Sequence, residues 1–231
     1  MDIIKVPKLK NDETVKLKET LPPLHSIFIG KTGSGKSNLL INLILRNRVF
    51  GYLKYYQKIY IISPSLCYDN TFDIFNDYDN EKKGYAKIEL VDEFNDAILQ
   101  NIIEEIKQEY DADNKRRTLV LLDDCINELK SNSTYLQVLF TRGRHFKTSV
   151  WISTQAYKKV PKTLRLNCID VFIFGGSSKN ELEDLYNEVG TGSKDQFYSL
   201  YLRATKEPFS FLGIRTRYGE DKRYTSNLKF I

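Results

Sequence analysis

From residue 25 onward, short apolar runs alternate with segments whose apolar positions recur every three or four residues. His25-Ser26-Ile27-Phe28-Ile29 reads as a buried strand. Ser37 to Arg46 reads as a helix, with Leu39, Leu40, Leu43 and Ile44 sharing one face. Lys58-Ile59-Tyr60-Ile61-Ile62 is a second predicted strand, stopped by Ser63-Pro64-Ser65. Residues 66–86, rich in Asp, Asn and Tyr, predict a loop. Asp92 is the candidate cap of a helix in which Phe94, Ile98, Ile102 and Ile106 recur every four residues. Thr118 to Leu122 predicts a third strand, ending in Asp123-Asp124, and Thr134 to Phe140 a helix. Ser149 to Ser153 is a fourth strand, and Ile169 to Phe174 a fifth, closed by Gly175-Gly176. Helices near 179–189 and 194–204 and a late strand over 209–214 complete the series. Short β-rich runs separated by helices predict an α/β fold, with a mostly parallel central sheet and helices on both faces.

The chain of 231 residues fits one large domain. A polar stretch over residues 1–22 predicts an N-terminal arm, and residues 23–231 the domain. Hydrophobic residues make up 41%, enough for a sizeable core, and the 28% of charged residues solvate the surface. The net charge of +5 is a mild excess and does not by itself demand a nucleic-acid partner. Cys67, Cys125 and Cys168 form no C-x-x-C pair, which fits a reducing compartment and argues against a zinc site. No apolar stretch approaches the roughly 18 residues of a membrane span, and Met1–Lys10 has no signal-peptide core. No membrane association is expected.

The strongest chemical signal is Gly30-Lys31-Thr32-Gly33-Ser34-Gly35-Lys36-Ser37, which fits the phosphate-loop pattern G-x-x-x-x-G-K-[ST] between a predicted strand and a predicted helix. The glycines let the backbone curl so that N–H groups converge on phosphate oxygens, and the helix adds its positive end. Lys36 is placed to reach the β- and γ-phosphates of a nucleoside triphosphate, and the Ser37 hydroxyl to ligate Mg2+. The alternative is a ligand-free turn, but a chance match in such a chain is on the order of one percent given average Gly usage.

Leu119-Val120-Leu121-Leu122-Asp123-Asp124 is an apolar strand ending in two carboxylates. Asp123 is the candidate Mg2+ ligand, and Asp124 the candidate general base for an attacking water. Alone this pattern also fits a strand that ends in a turn; the upstream phosphate loop favours the chemical reading. Gln155, after the fourth strand, is placed to sense a γ-phosphate if that strand lies between the phosphate-loop strand and the acidic strand. Arg142 and Arg144, in Phe140-Thr141-Arg142-Gly143-Arg144-His145, are candidates to reach a neighbouring subunit's γ-phosphate, or else surface arginines at a helix C-terminus. His25, His145 and Trp151 read as structural.

Together, Gly30–Ser37, Leu119–Asp124, Arg142-Gly143-Arg144-His145 and Val150-Trp151-Ile152-Ser153-Thr154-Gln155 resemble the FtsK–HerA superfamily of DNA-pumping ATPases. The nearest likeness is to the poxvirus-type genome-packaging ATPases of large DNA viruses and their virophages. Lys58–Ser65 is similar too, and the likeness spans roughly residues 22–215. The resemblance implies a P-loop NTPase of the additional-strand, RecA-like type, using ATP and Mg2+. It implies a ring, with a hexamer favoured, around double-stranded DNA that it drives into a capsid. It places Arg144, eleven residues before Gln155, at the trans-acting arginine position, with Gln155 as sensor. Asp124 departs from the Glu of the wider superfamily and agrees with the viral branch. Capsid proteins are possible partners, and the host cytoplasm or the virion is the expected location. Lys158, Lys159, Lys162 and Arg165, or Arg215, Arg217, Lys222 and Arg223, are candidate DNA contacts. Two rival readings stand beside this one: another P-loop enzyme (helicase or nucleotide kinase), and an ATP-gated scaffold for capsid assembly.

Overall fold

The computed structural model describes residues 25–45, 52–68, 70–76, 78, 84–113, 116–125, 133–219 and 222–230. The polar arm over 1–22 lies outside them. The chain enters on β1 (Ser26–Ile29), turns through the phosphate loop into α1 (Lys36–Leu45), and continues through the short α2 (Tyr52–Tyr55) to β2 (Lys58–Ile62). β3 (Lys87–Val91), α3 (Asp96–Ala112), β4 (Thr118–Asp123), α4 (Thr134–Arg142) and β5 (Thr148–Thr154) follow. The remainder is α5 (Lys162–Arg165), β6 (Asp170–Phe174), α6 (Lys179–Val189), α7 (Lys194–Ala204), β7 (Phe211–Arg215), β8 (Tyr224–Ser226) and β9 (Lys229–Phe230).

Among the described residues the strands form one nine-stranded sheet in the order β3-β2-β4-β5-β1-β6-β7-β8-β9. Strands β1 to β6 are mutually parallel, while β7, β8 and β9 add on antiparallel. β5 lies between β1 and β4, the condition set above for Gln155 to act as a sensor.

The alternation of a strand's side chains splits the core into two layers. On β4, Val120 and Leu122 face the layer covered by α3, α4, α6 and α7, through residues such as Leu99, Ile103, Leu139, Leu185 and Phe197. Leu119 and Leu121 face the other layer, with Leu40 and Leu43 of α1, Tyr52 and Leu53 of α2, and Phe72 and Phe75. Helices therefore cover both faces, as the pattern predicts. β4 and β5 are buried along their whole length; β4 therefore reads as an apolar run, while β5 also buries Thr148, Ser149, Ser153 and Thr154 around Val150–Ile152.

Local chemistry corrects several boundaries. Asn95, not Asp92, caps α3: its side-chain oxygen accepts from the Ile98 N–H at 2.9 Å. The segment read as a loop contains a 3-10 turn over Asn70–Phe75 that buries two phenylalanines. β3 was not predicted. It is an edge strand that alternates buried Ile88 with exposed Lys87 and Glu89, so it offers no continuous apolar run. β8 and β9 are too short to give a pattern.

Packing also removes three of the candidate DNA contacts. Arg165 is 5% exposed and binds Glu188 through both arms, at 2.9 Å from Nε and 2.6 Å from Nη2. Arg215 is 1% exposed and donates to Asp170 at 3.3 Å. Arg223 donates to the Thr216 and Val189 carbonyls at 3.0 and 2.8 Å. These guanidiniums join elements of the fold. Lys158 pairs with Asp184 at the surface, and Lys159, Lys162, Arg217 and Lys222 are exposed.

The Arg165–Glu188 pair ties the segment after β5 to α6. Arg165's hydrogen bonds hold the Glu188 carboxyl below the usual carboxylate range. A depressed folded value means stabilisation that is fully present above the unfolded value of about 4.3 and is lost as pH falls through the folded one. Glu188→Ala leaves a buried cation without its partner and is expected to cost about 3 kcal/mol at neutral pH. Urea denaturation at pH 7 and pH 3 checks this, and the gap between variant and parent should shrink at the lower pH.

Candidate active site

The phosphate loop is fixed at its start to the central strand: the Gly30 N–H donates to the Thr154 carbonyl at 3.1 Å. Gly33 and Gly35 take φ of 75° and 98°, a region that other residues enter only with strain. At Gly30 the limit is space, since a Cβ there would lie 2.5 Å from Ser34 Oγ and 2.9 Å from Phe174 Cβ. The Lys36 ammonium arches back over the loop and donates to the Gly30 carbonyl at 2.7 Å and the Lys31 carbonyl at 3.1 Å. Burial lowers its pKa, while the charges of Asp123 and Asp124 act against that shift.

The carboxyl ends of β4 and β5 complete the site. Asp123 is 5% exposed, and Ser37 Oγ lies 3.4 Å from its Oδ2. Burial raises the Asp123 carboxyl, opposed by the Ser153 hydroxyl, the Lys36 ammonium and the Ser37 hydroxyl. The register sets Asp123 opposite Ser153. Asp124 then leaves the strand at φ 53°, a left-handed turn that aspartate tolerates better than most residues. That turn presents its carboxylate to Gln155, whose Nε2 donates to Asp124 Oδ1 at 3.3 Å. Both side chains are exposed, so water can reach them.

The donor set fits a magnesium nucleotide. Ser37 and Asp123 offer the hard oxygens that Mg2+ requires, and a single carboxylate suits an ion that keeps waters and phosphate ligands. Ser34 Oγ is buried in the loop without a hydrogen-bond partner among the described residues, which fits a donor awaiting a phosphate oxygen. Sequence reading missed Ser153, which lies against Asp123 only through strand pairing.

Arg142 and Arg144 are not part of this gathering. Arg142 ends α4, and Arg144 lies in the 3-10 turn Gly143–Phe146 that leads into the amino end of β5. Both are exposed. The phosphate loop is at the other end of that strand, whose seven residues span about 20 Å at 3.3 Å per residue. His25 belongs to the arginine end. Its Nδ1 accepts from the Val150 N–H at 3.0 Å, and its ring packs on Phe140 with centroids 5.1 Å apart. Burial, with Arg217 and Arg144 nearby, lowers its pKa to about 4, so it stays neutral and joins β1 to β5. Trp151 is core, packed on Phe28 and Tyr52. Both structural readings hold.

A family model described as Poxvirus A32 protein matches residues 15–201. The chain belongs to the poxvirus A32 protein family. This bears out the resemblance drawn from the motifs. Among its relatives, the uncharacterized protein 075L of Invertebrate iridescent virus 6 is 29% identical over 192 residues, 81% of this chain and 69% of its own. The DNA-packaging ATPase B204 of Sulfolobus turreted icosahedral virus has the same fold, with a TM-score of 0.65 at 15% identity over 86% of this chain and 95% of its own. B204 of Sulfolobus turreted icosahedral virus 2, in complex with ATP-gammaS, aligns with a TM-score of 0.63 at 14% identity, covering 85% and 94%.

Proposed function

We propose that this A32-family chain is a Mg2+-dependent ATP hydrolase that drives double-stranded DNA into a viral capsid, working as a ring in the host cytoplasm or the virion. The observation that carries the reading is the split between the two ends of β5. Lys36, Asp123, Asp124 and Gln155 gather at its carboxyl end, and Arg142 and Arg144 are exposed at its amino end. Neither arginine reaches its own chain's phosphate loop, which supports the reading that one of them serves a neighbouring subunit's γ-phosphate.

The residues divide the work. The loop amides and Lys36 bind the phosphates, and Ser37 and Asp123 would hold Mg2+, which would supply charge neutralisation to the phosphates. Asp124 accepts a proton from the attacking water. The Gln155 amide, already on Asp124, is positioned to orient that water and to exchange its partner when a γ-phosphate arrives. An arginine in trans stabilises charge on the transferred group. B204 is a DNA-packaging ATPase of the same fold, and one of its structures holds ATP-gammaS; both support the assignment of nucleotide and task.

The test is ATP turnover per subunit against protein concentration, with and without duplex DNA. Specific activity is expected to rise with concentration and with DNA, and DNA affinity to fall steeply with added salt. Turnover that is constant on dilution and indifferent to DNA would count against both the ring and the translocase.

A further inference from the structure

The turn between α7 and β7 holds a large apolar side chain where glycine is usual. Ser210 N donates to the Glu207 carbonyl at 3.2 Å, closing a four-residue turn with Pro208 and Phe209 at its centre. Proline favours the first central place, and the second, at positive φ, ordinarily takes Gly or Asn. Phe209 occupies it at φ 61° and is 59% exposed. A single exposed apolar residue needs no explanation. One that also carries backbone strain points toward function.

Its position supplies the function. β7 runs antiparallel to β6, with Phe211 opposite Phe174, so the turn stands at the carboxyl end of β6 beside the phosphate loop. A Cβ added to Gly35 would lie 3.3 Å from both Cβ and Cδ1 of Phe209. The turn is held there, since Gly175 N donates to the Ser210 carbonyl at 3.3 Å and Phe211 N to Asn227 Oδ1 at 3.1 Å.

Strand order then assigns the two ends of a bound nucleotide. Asp123, Asp124 and Gln155 lie on β4 and β5, to one side of the loop strand β1. A nucleotide on the loop with its γ-phosphate toward these residues would send its nucleoside end to the other side, toward β6 and β7, where Phe209 lies.

We propose that Phe209 is the platform on which the nucleobase of the bound nucleotide stacks. The proposal rests on the ATP reading above and adds a base subsite to it. Every base has a π-face, so an aromatic platform grips without reading hydrogen-bond edges. Nucleotide binding then covers the exposed ring.

The test is equilibrium binding of ATP and of inorganic tripolyphosphate, each with Mg2+, to the full chain and to Phe209→Ala and Phe209→Tyr. The Ala variant is expected to bind ATP about 10-fold more weakly, the size of one lost base stack, and the Tyr variant to bind as the parent does. Tripolyphosphate, which has no base, should bind all three equally, and that result also shows that the loop is intact. Phe209→Gly, which removes the strain, should melt at or above the parent's temperature while showing the same ATP defect. Unchanged ATP affinity in Phe209→Ala, or an equal loss for tripolyphosphate, overturns the platform. A parent chain that binds neither ligand overturns the ATP reading itself, and the platform with it.

Discussion

Arg144→Ala is expected to lower ATP turnover by about 10³-fold or more, the scale on which a trans-acting arginine stabilises phosphoryl transfer. The side chain is exposed in a 3-10 turn at the amino end of β5, so its loss should leave folding stability within about 0.5 kcal/mol of the parent. ATP affinity should change little in the isolated subunit, because that subunit's own loop lies a strand length away. Arg142→Ala, one helix end earlier, is expected to have the smaller effect. Measuring kcat, melting temperature and ATP affinity on both variants checks this. Full activity in both removes the shared site.

Asp124→Asn is expected to reduce kcat by about 10²- to 10⁴-fold while ATP still binds, because general-base assistance contributes on that scale. Asparagine tolerates the left-handed backbone at φ 53° and can still accept from Gln155 Nε2, so geometry is retained while the proton acceptor and its charge are lost. Separate measurements of kcat and ATP affinity distinguish this from a binding defect. Near-normal turnover in Asp124→Asn would place the base elsewhere.

The candidate site is legible where its chemistry is local in the chain. The phosphate loop needs its glycines and Lys36 within eight consecutive positions, and the Asp123-Asp124 pair follows directly from the end of an apolar strand. Gln155 depended on strand order, which a sequence pattern does not fix; the pairing of β5 between β1 and β4 supplied it. The same limit explains what was missed. Ser153 meets Asp123 only across the sheet, and Phe209 meets Gly35 only because β7 returns antiparallel to β6. Arg165 and Arg215 look like solvated cations in a basic run, yet each has a carboxylate partner distant in sequence, Glu188 and Asp170. Charge counts cannot tell such a residue from a DNA contact. β3 escaped because an edge strand shows alternating charge rather than an apolar run.

In the proposed ring, one subunit's phosphate loop works with its neighbour's arginine. Mixing two variants, Lys36→Ala and Arg144→Ala, tests it most directly. Each alone should be inactive, because every interface lacks either the loop lysine or the arginine. In a mixed assembly, some interfaces join an intact loop to an intact arginine, and ATP turnover should return. A mixture as inactive as its parts, with co-assembly shown by cross-linking, would contradict the account.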